Sequence, residues 1–308
     1  MKNFFTAPPI PRTSLAISET HLALVELRQR RRAFEPRHLG VQRLPEGLVR
    51  AHFTEPNISD EATFAEQLTK TATQANLGRL RRLTVALPEG SARSLVVQLD
   101  SEPGSRAELN QMLEWKIERN CGARISELRV SYQRLSQAAG RKQWLVVAAA
   151  EPVIEQYERV FKSLGWQAGL IVPYHLGEAQ WLMRAGIEGD QALLSFNERG
   201  FVVVITRGSE PILVRDITCT PEEREDEFYR LMVYYRDRLL PDGHPVTLSR
   251  LLAIGAGEEQ KKFRSAFESA LETSPLSLNP QHLGLNVDPN APFNRFAAAA
   301  GLATLAWN

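Results

Sequence analysis

Leu15-Ala16-Ile17-Ser18-Glu19-Thr20-His21-Leu22-Ala23-Leu24-Val25-Glu26-Leu27 places two apolar runs around a short polar turn, the pattern of a β-hairpin. Far down the chain, Ala192 to Ile205 repeats the pattern around Ser195-Phe196-Asn197-Glu198. Each hairpin opens a three-strand run. The first continues through Leu39–Leu44 and a further extended stretch, Leu48–Phe53; the second comprises Ala192–Phe196, Phe201–Thr206 and Ile212–Ile217. A hairpin that holds phosphate carries an acid to organise a metal ion and a glycine turn that brings N–H groups to the phosphate oxygens. Neither hairpin has that set. Ser18, Glu19 and Thr20 in the first, with Ser195, Asn197 and Glu198 in the second, are the degenerate nucleotide-site candidates.

Between the hairpins, Asp60 caps a helix with the apolar stripe Phe64, Ala65, Leu68 and Ala72, with Gly78 beyond its end, and Leu83–Leu87 reads as a buried strand closed by Pro88. Strands, helix and strand in this order define an α/β layer arrangement. Glu89 to Gly140 breaks the rhythm with a strand at Ser94–Leu99, a helix after the capping box Ser105-Arg106-Ala107-Glu108, and a strand at Leu128–Leu135. It reads as an inserted subdomain. Trp144–Ala149 reads as a return to the core sheet, followed by a helix opened by Pro152 and ended by Gly165, a strand at Ala168–Val172 and a helix near Leu176–Arg184. A second capping box, Thr220-Pro221-Glu222-Glu223, places proline at the first position of a helix carrying Phe228, Leu231, Met232, Tyr235 and Leu239. The expected divisions are a leader at 1–12, a first half at 13–88 and 141–175, an insert at 89–140, a second half at 176–291 and a C-terminal helix at 292–308.

The 308 residues are 43% hydrophobic and 24% charged, enough for two ordinary domains. Lys+Arg 37 against Asp+Glu 36 gives a net charge of +1, so no global field draws the chain to nucleic acid or an acidic membrane. Cys121 and Cys219 cannot cage a metal, and the six histidines show no ligand spacing. The residues before Pro11 lack the apolar run of a secretory signal, and no stretch approaches the ~18 to 20 apolar residues of a membrane span. A reducing cytoplasm fits the cysteine usage.

Several strings now acquire a common source. Leu24-Val25-Glu26-Leu27, Leu44-Pro45-Glu46-Gly47, Thr84-Val85-Ala86-Leu87-Pro88, Val214-Arg215-Asp216-Ile217, Asn286-Val287-Asp288-Pro289 and Pro292-Phe293-Asn294-Arg295-Phe296 occur in an order that resembles the PilM family of type IV pilus assembly proteins. The resemblance covers nearly the whole chain after Pro11. It implies a two-half actin-like, ribonuclease H-like α/β fold related to FtsA, with mixed sheets flanked by helices and an inserted α+β subdomain in the first half. It also implies a cytoplasmic protein, peripheral to the inner membrane through a PilN-like partner whose cytoplasmic tail lies between the first-half core and the insert. By that analogy Leu109, Leu113 and Ile117, on the inserted helix, are the candidate partner-binding residues.

Aligning Leu24-Val25-Glu26-Leu27 with the family's hairpin puts Ala16 where the family has aspartate, Ser18 where it has glycine and Ala23 where it has lysine. In the second hairpin Ser195 stands for aspartate and Asn197 for glycine, although asparagine tolerates a left-handed backbone. Stabilising phosphate charge needs several such groups together. The expectation is therefore a scaffold without efficient hydrolysis, with no catalytic residue, no metal and no obligatory cofactor; ATP and magnesium enter only through the resemblance. Gly255-Ala256-Gly257 fits either close approach of an adenosine or a tight strand-to-helix connection. Arg28-Gln29-Arg30-Arg31-Arg32 reads as a solvated hairpin tip and Trp115, Trp144, Trp166 and Trp181 as core, with partner anchoring the alternative. Two other readings remain: an active actin-like ATPase of pilus assembly, which needs carboxylates at both hairpins, and a GspL-like cytoplasmic domain of type II secretion. The latter is expected to continue into a membrane helix, whereas this chain reaches Asn308 directly after its last core-like helix.

Overall fold

The computed structural model describes residues 10–31, 33–99, 101, 103–136, 143–185, 187–240, 248–255 and 257–307. They divide into two compact units, one of residues 1–180 with 284–308 and one of residues 181–283. In the first unit the chain runs β1 (Thr13–Ile17), β2 (His21–Arg30), β3 (Ala33–Arg43), α1 (Glu61–Gln74), β4 (Arg82–Leu87), β5 (Arg93–Gln98), α2 (Arg106–Cys121), β6 (Leu128–Leu135), β7 (Gln143–Ala150), α3 (Glu151–Ser163), β8 (Gln167–Pro173) and α4 (Tyr174–Ala185), which crosses the unit boundary. The second unit follows with β9 (Asp190–Asn197), β10 (Gly200–Arg207), β11 (Glu210–Thr218), α5 (Arg224–Tyr234) and its π-helical extension Tyr235–Leu239, β12 (Leu248–Ile254), α6 (Gln260–Leu271) and β13 (Leu276–Ser277). The last helix, α7 (Phe293–Ala303), returns to the first unit.

Two five-stranded mixed sheets share one plan, β3-β2-β1-β4-β8 and β11-β10-β9-β12-β13. In each, three antiparallel strands are extended by two parallel ones. Side chains alternate across a strand, so Leu15, Ile17, Leu22, Leu24, Leu83, Val85 and Leu87 meet α1 and α3 in one core. The intervening residues face α7, whose alanines 297–300 are fully buried. Small residues there admit a close helix. Ala23, Ala16 and Ala86 lie side by side across β2, β1 and β4. In the second unit Ala192, Leu194, Phe201, Val203 and Ile205 pack on α5 and α6, where Phe228 and Phe263 meet edge to face at 5.5 Å. Buried Asp190 closes that sheet's lower corner, taking two 2.8 Å bonds from Arg207 and one of 2.7 Å from the Tyr235 hydroxyl.

The insert is an antiparallel sheet, β5-β7-β6, under α2. Trp144–Ala149 is therefore the middle strand of the inserted sheet rather than a strand of the core, and the insert draws on both sides of residue 140. Three local expectations are corrected as well. Leu48–Phe53 forms no strand beyond a single bridge from Val49 to Ile58, because side chains take its backbone groups: Glu19 Oε1 accepts the Ala51 N–H at 2.6 Å. The left-handed residue after α1 is Asn76, not Gly78. Thr220 and Glu223 do close a box, with the Thr220 N–H donating to Glu223 Oε2 at 2.9 Å, but it forms a turn ahead of the helix, which begins at Arg224. The basic run ends β2 and turns at Arg31, with Arg28 held to Glu35 at 2.8 Å; Arg32 lies outside the described residues.

Candidate functional site

The first hairpin's turn is closed by its own side chains. Ser18 Oγ accepts the N–H groups of Thr20 at 3.2 Å and His21 at 2.9 Å, and lies 2.7 Å from His21 Nδ1. Those are the amides an open phosphate-binding turn would present. His21 Nε2 donates to the Arg295 carbonyl at 2.9 Å, so the neutral ring accepts at Nδ1, where Ser18 is the donor. Burial depresses the His21 pKa, only partly offset by the bond to the Arg295 carbonyl. Glu19 is engaged with Ala51. Below the turn, Ala16 and Ala23 are direct cross-strand partners with no exposed surface.

The second turn is occupied in a similar way. Ser195 is buried between Val202 and Ile254 on neighbouring strands. Asn197 Oδ1 accepts the Arg199 N–H at 2.9 Å, and the Asn197 carbonyl accepts from Arg224 Nη2 at 3.2 Å. Asn197 does not adopt the left-handed conformation open to asparagine; the tight position is Gly200, where a Cβ would lie 2.0 Å from the Ile217 carbonyl oxygen. Glu198 is exposed at the tip. Gly255 takes φ 81° with its back to the Phe196 side chain, and Gly257 starts a short 3₁₀ turn before α6; Ala256 lies outside the described residues. Among the described residues, no three His, Cys, Asp or Glu side chains gather as a metal site.

The expected partner residues are elsewhere than at a surface. Leu113 and Ile117 are 1% exposed and Leu109 is half-buried, all packed between α2 and the inserted sheet. Their helical spacing marks the insert's own core, which corrects their assignment to a partner groove. Trp144 and Trp181 are buried too, whereas Trp115 stands on the outer side of α2 with Arg119 over its ring.

A groove does lie between the insert and the first-unit sheet, with a volume of about 290 Å³, near the lower limit of ligand pockets. One wall is β8, which contributes consecutive residues from Ala168 to Pro173; the other is Arg129-Val130-Ser131 of β6. Consecutive rather than alternate residues line a space when a strand presents its backbone edge. Both strands are the last in their sheets. Leu87, Ala92, Val147, Ala149 and Ile154 make the apolar remainder. On the rim Arg129 forms a bidentate pair with Glu151, at 2.6 and 3.1 Å, and a 2.6 Å bond to Glu158. The resemblance implies a tail site between the first-half core and the insert, but not which strands wall it, because strand order within a sheet is set by tertiary contacts.

The paired strand plan, with an insert in the first unit, is that of actin-like proteins. More particularly, the chain resembles PilM: its fold matches the structure described as a PilM-PilN type IV pilus biogenesis complex at a TM-score of 0.76 and 18% identity, covering 98% of this chain and 100% of that one. Looser likenesses extend to a Bacteroides thetaiotaomicron protein with an actin-like ATPase fold and unknown function, at TM-score 0.49, 11% identity and 96% and 98% coverage. Another is the cytoplasmic domain of EpsL, an inner-membrane component of the Vibrio cholerae type II secretion system, at 0.48, 15% and 88% and 92%. Likenesses at that level do not discriminate among functions. No protein-family model matches the chain, and no curated protein matches its sequence. No helix among the described residues is long and apolar enough to cross a membrane.

Proposed function

We propose that this protein is an adaptor of a type IV pilus assembly platform, cytoplasmic and peripheral to the inner membrane, that holds the cytoplasmic tail of a PilN-like membrane protein in the groove between β8 and β6. The likeness to the PilM-PilN complex over nearly the whole chain supports the reading. The observation that carries it is the apolar groove between two strands that each end their sheet among the described residues. Leu170, Ile171 and Val172 remain partly exposed on a strand that ends its sheet, and a partly exposed apolar edge invites strand addition. ATP hydrolysis has no part in this function, and nucleotide is not required for tail binding.

The test pairs the full chain with a synthetic peptide copying the cytoplasmic tail of the single-span membrane protein encoded beside it. Saturable binding is expected in titration calorimetry. Ser131→Trp, at an exposed position on the groove wall, fills the groove and weakens binding by at least about tenfold, or about 1.4 kcal/mol, with the thermal unfolding profile unchanged. Equal affinity in the variant removes the groove from the function.

A further inference from the structure

At one end of the first unit's sheet, basic residues gather from four separate segments. β1 begins beside the outgoing β2, with Thr13 opposite Glu26; β4 begins on its other side, with Thr84 opposite Ser14; β8 begins next to β4, with Gln167 opposite Arg82. The tip of the β2–β3 ribbon, the start of β1, the loop before β4 and the turn from α3 into β8 therefore emerge together. Residues 10–13, 28–31, 75–82 and 162–168 carry eight Arg and Lys and no Asp or Glu. With a net charge of +1 for the whole chain, the rest of it holds an excess of seven negative charges. Arg12, Arg28, Arg30, Arg31, Arg79 and Arg81 are exposed. The neighbouring carboxylates are engaged, Glu35 by Arg28 at 2.8 Å and Glu26 by Arg37 at 3.3 Å, whereas Arg30 and Arg31 form no ion pair among the described residues. Arg31 takes φ 58° in the turn, a conformation that favours glycine or asparagine. The turn thus gives up backbone stability to carry a charge. Phe34, buried with its ring centroid 5.6 Å from that of Trp307, fixes the ribbon behind it. Trp166 and Trp307 are partly exposed at this end, the latter under the Arg12 guanidinium.

We propose that this end of the first unit rests directly on the anionic headgroup layer of a bilayer, with the β2–β3 tip, Arg12 and the Arg79–Arg81 loop as its contacts. The proposal deepens the peripheral placement proposed above and rests on that reading for the identity of the anionic surface, but it does not use the groove. The charges are spread along the ends of neighbouring strands about 4.8 Å apart, an array that suits a planar charged layer. Arginine draws on the negative potential of such a layer, and tryptophan prefers its headgroup level. A nucleic acid running past the array would meet the acidic excess of the rest of the chain; a bilayer touches only the end.

The full chain is sedimented with vesicles of phosphatidylcholine alone, or of phosphatidylcholine and phosphatidylglycerol in equal parts, at millimolar lipid and low salt. Binding is expected to the anionic vesicles only, and to vanish at high salt. An arginine at an anionic surface is worth about fivefold in partitioning, so Arg30→Gln with Arg31→Gln weakens binding roughly 25-fold. Lys261→Gln with Lys262→Gln, an equal loss of charge at exposed positions of α6, leaves it unchanged. Arg31→Gly loses about fivefold in binding yet unfolds at a higher temperature, which a merely structural arginine would not do. Equal binding to both vesicle types, binding to neither, full binding by the Arg30 and Arg31 double variant, or an equal loss in the α6 variant overturns the proposal. So does tighter binding to a duplex oligonucleotide at the same phosphate concentration, which assigns the array to nucleic acid. The vesicles contain no peptide, so any of these failures leaves the groove to be judged by its own titration.

Discussion

At the scale of single residues, Ala16 and Ala23 face each other across β1 and β2 with no exposed surface. Ser18 then closes the turn through two amides and the His21 ring. Burial favours the neutral His21 ring, which gives the turn a measurable pH signature. His21 has a folded-state pKa below its ordinary value, so the unfolded chain binds the proton first as pH falls. The sign follows from linkage: stability is full above the unfolded pKa of about 6.5, declines as pH drops through it and levels off below the folded pKa. Urea unfolding between pH 7.5 and pH 5 is expected to show this decline, and His21→Gln to flatten it. An identical slope in the variant would assign the pH dependence to other groups.

Among elements, α2 shows what a sequence does and does not disclose. Its cap at Ser105 and its stripe Leu109, Leu113 and Ile117 are legible from spacing alone, and the helix begins one residue after the cap. What covers the stripe is not legible, because periodicity marks a face as buried without naming its partner. The inserted sheet covers it. The same limit applies to β7, whose alternation announces a strand but not which sheet receives it, and to β6 and β8, whose edge positions arise from strand order. Hairpins, caps and the repeated three-strand opening are local and could be read; the residues that wall the groove come from two sheet edges and could not. Leu113→Ala is accordingly expected to act on folding. Removing a buried leucine side chain costs about 2–5 kcal/mol, large for a small insert with its own core. Limited proteolysis is expected to cut the variant within 89–150 while the remaining sheet stays resistant. Wild-type resistance across that segment would show that Leu113 is not a support of the insert.

For the molecule as a whole, one strand plan is used twice. Both units keep the order of three antiparallel and two parallel strands, and in both the turn after the opening strand is satisfied by its own side chains or by a neighbouring arginine. Such turns have their donors engaged within the protein. The consequence can be read without knowing where a nucleotide would sit, because any ligand of the folded state raises its stability. At 1 mM, ATP with magnesium would add about 4.1 kcal/mol for a site of 1 μM dissociation constant, and each kcal/mol moves the melting temperature of a domain of this size by about 2–4 °C. The expected shift is less than about 1 °C, with phosphate release no faster than in a protein-free control. A rise of several degrees, or steady turnover, would overturn the proposal that hydrolysis has no part in the function.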